Sequence, residues 1–166
     1  NEDEFRLVDR LAKEGLRYNN FHTTAVCSAT RCSLLTGTNH HTAGIASLVE
    51  FRTGLNNGMG KLNPEYATIA EILHEYGYAT FCNGKWHLDA NQSSANQDKS
   101  AWPLAKGFDK YYGFLYSEND QFHPHLMRDN SRADQPKTVE EGYHFSEDIV
   151  DNAKTPNAIK IYFKLL

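Results

Sequence analysis

The stretch from Thr68 to Leu88, TIAEILHEYGYATFCNGKWHL, constrains the fold more than any other. Ile69, Ile72, Leu73 and Tyr76 recur at a helical period and share one face. Thr68 is a residue type that caps helix N-termini, and Gly77 one that ends helices. The spacing predicts a helix over Thr68–Tyr76. Tyr78–Cys82 then reads as a short buried strand. Helix, glycine, strand is the rhythm of a parallel sheet flanked by helices, which predicts an α/β fold.

Other segments agree. Phe5–Glu14 predicts a helix, with Leu7 and Leu11 four apart and Gly15 after it. Arg17–His22 reads as extended. Ser28–Thr36 predicts a second helix, stopped by Gly37. Thr38–Asn63, with glycines at 44, 54, 58 and 60, reads as a glycine-bearing loop, and residues 89–101 as a polar surface loop. Ser146–Ala153 predicts a helix capped by Ser146. Residues 158–166 alternate Ile159, Ile161, Phe163 and Leu165 with Lys160, Tyr162 and Lys164, the pattern of a strand. The 166 residues show no internal repeat and no domain boundary. A helix opens the chain and a strand closes it. Parallel strands are rarely left without a following connection, so the chain is expected to be part of a larger α/β domain.

Charge and composition remove several classes of function. A net charge of −4 implies no basic face, so a nucleic-acid partner is not expected. No apolar run approaches the roughly 18 residues of a membrane span. The three cysteines, Cys27, Cys32 and Cys82, cannot all pair, so no disulfide framework is expected. His40-His41 and His123-Pro-His125 lack the spacing of a zinc site.

Two short motifs carry chemistry. In CSATRCSLLTG, residues 27–37, Cys27 stands at a helix entrance. Unpaired N–H groups and the helix dipole favour an anion there, so Cys27 is either an anion-associated reactive group or a small buried hydrophobe. Only three residues separate Cys27 from Arg31, too few for the phosphate-wrapping loop of a cysteine phosphatase. The second motif, Gly84 to Leu88 (GKWHL), follows the predicted strand directly. Ligands of open α/β sheets gather at the carboxyl ends of strands. Lys85 and His87, two apart, would point to one side of an extended segment. They read either as a cation and an imidazole at a site edge, or as a solvated lysine and a hydrogen-bonded histidine. Cys32 and Cys82 read as structural thiols.

Together these stretches resemble the sulfatase family, whose Cys-x-Pro/Ala-x-Arg signature continues to Leu-Thr-Gly. Here it stands as Cys27-Ser28-Ala29-Thr30-Arg31, then Leu34-Leu35-Thr36-Gly37. The family's Gly-Lys-Trp-His motif stands at 84–87. DRLAKEGLRYNNFH (9–22) looks like the lead-in and LAKGFDKYYGFL (104–115) like the segment that follows. TGTNHHTAGI and NDQFHPHLMRDN look most like the arylsulfatase branch.

The resemblance implies an alkaline-phosphatase-like three-layer α/β/α domain with a mainly parallel sheet, of which 1–166 would be a part lacking the first strand and the C-terminal part. It implies hydrolysis of sulfate esters, aryl sulfates foremost. Cys27 would be converted to formylglycine by a formylglycine-generating or anaerobic sulfatase-maturating enzyme and would bind Ca²⁺. Arg31 would steady that group and the metal, Lys85 would hold it and a sulfate oxygen, and His87 would take the proton on sulfate release. The same signature serves phosphonate monoester and phosphodiester hydrolases, and an inactive sulfatase-like scaffold would keep it too. Ala29 stands where proline is commoner, and Asp89 where glycine is usual, adding a carboxylate near the site. The family's acidic metal ligands have no counterpart here, so the 166-residue chain alone is expected to be inactive and poorly stable. Asp89, Asp109 and Asp120 are the first candidates for substitute ligands.

Overall fold

The computed structural model describes residues 2–90, 98–154 and 160–165, with side chains over 8–90 and 98–154. In chain order the elements are α1 (Glu2–Glu14), α2 (Cys27–Thr36), α3 (Ile69–Glu75), β1 (Ala79–Lys85), β2 (Lys110–Phe114), β3 (Met127–Arg128), β4 (Ser131–Arg132), α4 (Phe145–Ala153) and β5 (Lys160–Leu165). Arg17–His22, expected to be extended, forms no strand.

One mixed sheet, in the order β4-β3-β2-β1-β5, organises the chain. β1 lies inside it, parallel to both β2 and β5, with Cys82 opposite Tyr111 on one side and Phe163 on the other. The short β3 and β4 add on antiparallel, joined at Asp129, whose φ of 55° makes the tight reversal. The backbone of β5 falls where residues 158–166 predicted a strand; Ala158, Ile159, Leu166 and the expected side-chain alternation lie outside the described residues.

β1 runs three residues beyond the predicted Tyr78–Cys82 and takes Lys85 into the strand. Asn83 and Gly84 are poor strand formers by composition. Pairing on both sides carries the strand through them. Gly84 and Gly113 are opposite each other, and a Cβ on Gly113 would sit 2.0 Å from the Gly84 carbonyl oxygen.

α3 is capped by Thr68 as expected, and a full capping box forms: Thr68 accepts from the Glu71 N–H at 3.2 Å, and Glu71 accepts from the Thr68 N–H at 2.7 Å. Its apolar face is a correction. Ile69, Ile72 and Tyr76 are exposed, and Ala70 is the helix's buried residue. The cause is the turn at Gly107, where a Cβ would meet the Glu71 nitrogen at 2.3 Å. So close a backbone approach aims the small side chain of Ala70, and not the larger ones, at the core.

Two cores cover the two faces of the sheet. Tyr111 and Leu115 join Cys32, Leu35, Ala70, Trp86 and Trp102 on the α2–α3 side. Tyr112 joins Leu126, Tyr143 and Phe145 on the α4 side, as the alternation of β2 requires. The fold is thus α/β, with helices on both faces of a sheet whose longest pairings are parallel.

Two loops differ from expectation. Within 38–63, Ala43, Ile45, Val49 and Leu62 are core residues. In 89–101, Asp89 and Ala101 are buried, and Asp89 pairs its backbone with Lys61. α4 is capped by His144, whose ring accepts from the Ser146 N–H at 3.3 Å; Ser146 lies inside the helix and is not its cap. Among the described residues no helix is long and apolar enough to cross a membrane.

Candidate functional site

α2 begins at Cys27, one residue earlier than predicted, so Cys27 is its first helical residue. Val26 precedes it in an extended conformation and offers no side-chain cap. Gly37, at φ 64°, closes the helix by donating to the Ser33 carbonyl at 2.9 Å. The helix therefore presents its positive end where Cys27 stands.

β1 delivers the other groups. Lys85 is its last residue, not a residue beyond it as predicted, and its Nζ lies 3.1 Å from Cys27 Sγ. The same ammonium donates to the Ser117 carbonyl. Past the strand, Trp86 and His87 continue the pairing with the end of β2, their N–H groups meeting the carbonyls of Phe114 and Leu115 at 2.9 and 3.0 Å. His87 has φ 53°, a left-handed conformation rare for a non-glycine residue. That reversal turns its ring towards α2, with Nδ1 3.2 Å from both Cys27 Sγ and Ser28 Oγ.

Arg31 lies one turn after Cys27. Its Nε donates to the Trp86 carbonyl at 2.9 Å and an Nη to the Lys85 carbonyl. It is 5% exposed, and burial pulls its guanidinium below the ordinary value against the raising effects of Cys82, Tyr111 and Cys27. The structure thus gathers all four predicted residues, with Arg31 tying α2 to the end of β1.

Two members of the cluster were not foreseen. Ser28 Oγ, fully buried, touches His87 and accepts from the Val49 N–H at 3.4 Å. Glu50 Oε1 is 2.8 Å from His87 Nε2. The only local sign was a carboxylate set among Leu48, Val49 and Phe51. Burial lowers the His87 pKa first of all. Glu50 opposes that shift, while Lys85 and Arg31 add to it.

Two of the candidate substitute ligands, Asp109 and Asp120, serve other ends. Asp109 accepts from the Thr80 N–H at 2.8 Å, and Asp120 from the N–H groups of Phe122 and His123 at 2.7 Å each. His40 bonds the Ile45 carbonyl at 2.8 Å. Cys32 and Cys82 are buried free thiols, each pushed up to about 12 by burial. Among the described residues no group of three or more His, Cys, Asp or Glu could hold a metal ion.

Comparison with known proteins places this arrangement. The family profile described as Sulfatase matches residues 2–157. An uncharacterized sulfatase of Schizosaccharomyces pombe is 32% identical over 176 residues, covering 96% of this chain and 32% of that protein. Human arylsulfatase G is 36% identical over 122 residues, covering 68% of this chain and 19% of its own length. The chain thus spans a third or less of the length of these relatives. Among solved structures, one titled for the metabolism of multiple glycosaminoglycans by Bacteroides thetaiotaomicron superposes with a TM-score of 0.66 at 20% identity, covering 94% of this chain and 35% of that one. Another, titled as a complex with its substrate D-glucosamine-2-N,6-O-disulfate, gives 0.61 at 22% identity over 93% of this chain and 27% of its own. These likenesses show the fold, an alkaline-phosphatase-like α/β domain. With a profile match over nearly its whole length and both motifs in order, the chain belongs to the sulfatase family.

Proposed function

We propose that the whole protein hydrolyses organic sulfate esters, aryl sulfates foremost, at a formylglycine formed from Cys27. The observation that carries this reading is the convergence on Cys27 Sγ of Lys85 Nζ at 3.1 Å and His87 Nδ1 at 3.2 Å, at the first residue of α2. A cation, a helix N-terminus and a proton-transfer group around one side chain suit the handling of an oxyanion.

The surroundings of residue 27 fit an oxygen-bearing group: Lys85 offers a charged donor and His87 a ring nitrogen. Formylglycine there would supply a hydroxyl nucleophile for the ester sulfur. Lys85 holds that side chain and the incoming sulfate by charge. His87 takes a proton at Nδ1, the atom that faces residue 27. Arg31 keeps the end of β1 seated on α2, which fixes where Lys85 and His87 stand.

Calcium fits less well. The dication takes about six to eight oxygen ligands. Glu50, near residue 27, is engaged with His87, and among the described residues no group of three or more His, Cys, Asp or Glu could hold a metal ion. The described residues do not make a calcium cage.

The test is mass spectrometry of the Cys27 peptide from the whole protein, with turnover of an aryl sulfate measured beside a phosphodiester. Aldehyde at position 27 with preferred sulfate turnover supports the reading. Preferred phosphodiester turnover replaces it with the related hydrolase, and an unmodified thiol with no turnover replaces it with an inactive scaffold.

A further inference from the structure

We propose that Glu50 is a positioning residue that fixes the tautomer of His87, so that Nδ1, facing residue 27, is the acceptor. The proposal rests on the sulfatase reading for its catalytic consequence, and on geometry alone for the tautomer.

A neutral imidazole carries one N–H and one lone pair, and its partners decide which nitrogen has which. Glu50 Oε1 sits 2.8 Å from Nε2. A carboxylate offers only acceptors, so the ring proton belongs on Nε2. Nδ1 is then left to accept. Both of its neighbours, Cys27 Sγ and Ser28 Oγ at 3.2 Å, can donate to it. Ser28 Oγ already accepts from the Val49 N–H, which leaves its own hydroxyl proton free to turn to Nδ1. With the opposite tautomer, Nε2 would set a lone pair against the Glu50 oxygen, and Nδ1 could take no proton from residue 27.

Glu50 is held from several sides. Val49 beside it is fully buried. Gly60 lies so close to the Val49 carbonyl that a Cβ would come within 2.5 Å. Gly60 in turn accepts from the Ala90 N–H at 2.7 Å, and the Leu62 N–H reaches the Leu88 carbonyl at 3.3 Å. The segment carrying Glu50 is thereby tied to residues 88–90, just past His87, and through Ser28 to α2. The His87 side chain is fully buried, while that of Glu50 is 44% exposed. Removing the carboxylate therefore strips a partner from the ring without opening a cavity in the core.

The experiment uses the whole protein, ¹⁵N-labelled at histidine, as wild type, Glu50→Ala and Glu50→Gln, at one pH where His87 is neutral. The wild type is expected to show His87 protonated at Nε2, and E50A to lose that preference. With an aryl sulfate, E50A is expected to lose roughly 10–100-fold in kcat with little change in KM, as for other groups that orient a histidine. E50Q, which keeps an acceptor oxygen, is expected to recover part of both. Circular dichroism checks that the variants fold. A wild-type signal protonated at Nδ1, or an E50A spectrum unchanged at His87, overturns the proposal. So does an equal loss in E50A and E50Q, or a loss confined to KM. A wild type without sulfate turnover overturns the sulfatase reading instead, and the tautomer arm then decides the role of Glu50 by itself.

Discussion

Arg31 donates its Nε proton to the carbonyl of Trp86 at 2.9 Å, and a second guanidinium proton to the carbonyl of Lys85. One side chain thereby fastens the first helix turn of the site to the two peptide units that carry Lys85 and His87. Arg31→Lys keeps the charge and loses the planar fork. A buried carbonyl left without a partner costs about 1–3 kcal/mol. Chemical denaturation of R31K should show a loss of that order. An unchanged midpoint would mean that water or a neighbour satisfies both carbonyls.

Gly113 and Gly84 are expected to tolerate no side chain between them. A Cβ on Gly113 would lie 2.0 Å from a backbone oxygen of the paired strand, where no flexible group can yield. Gly113→Ala should lower the melting temperature sharply or prevent folding, whereas Gly37→Ala, whose Cβ meets nothing within 4 Å, should cost only the strain of its positive φ. Equal losses in the two variants would contradict this assignment.

Asp148 is the polar centre of the α4 side. It accepts from the Tyr112 hydroxyl at 2.6 Å and the Tyr143 hydroxyl at 2.9 Å, and Asn152 donates to its other oxygen at 2.8 Å. Asp148→Asn must turn an N–H₂ towards one of these donors. A loss of about 1–3 kcal/mol is expected in urea unfolding, and Tyr112→Phe in the D148N background should cost less than it does in the wild type.

Alkaline pH should unfold the protein earlier than tyrosine chemistry alone would. Cys32 and Cys82 are pushed by burial from an ordinary 9.0 up to about 12. The folded state keeps protons that the unfolded chain releases, so stability is whole below pH 9 and falls between 9 and about 12. Replacing both thiols by alanine should flatten that fall. Iodoacetamide at pH 8 should leave Cys32 and Cys82 unlabelled in the native protein, because both thiols are buried. Native labelling at Cys82 would count against its burial.

The polypeptide 1–166 by itself is expected to bind Ca²⁺ weakly and to turn over no aryl sulfate. Among the described residues no group of three or more His, Cys, Asp or Glu could hold a metal ion, and Glu50 is committed to His87. Calorimetry with Ca²⁺ and an aryl sulfate assay of that polypeptide check both halves. Metal-dependent turnover would require ligands other than those described.

The site was legible where local sequence dictates it. Helix spacing puts Cys27 and Arg31 on one face, and a strand before GKWHL puts Lys85 and His87 at its end; that the four make a site came from their resemblance to the sulfatase motifs. Glu50 was not, because its role depends on a contact across 37 positions between two irregular segments. β2 and the short β3–β4 pair were missed for the same reason, since partners elsewhere in the sheet hold them. The face of α3 was misread because periodicity names an apolar stripe but not what approaches it. At Gly107 a turn reached the helix first.

Lys85 has a consequence for how an anion would arrive. Its described partners are the sulfur of Cys27 and the carbonyl of Ser117, and neither is a carboxylate. An incoming oxyanion would therefore displace a dipole and some water, not a resident counter-ion. Among the described residues the ammonium has no carboxylate partner, so no described ion pair has to be dismantled before it can act.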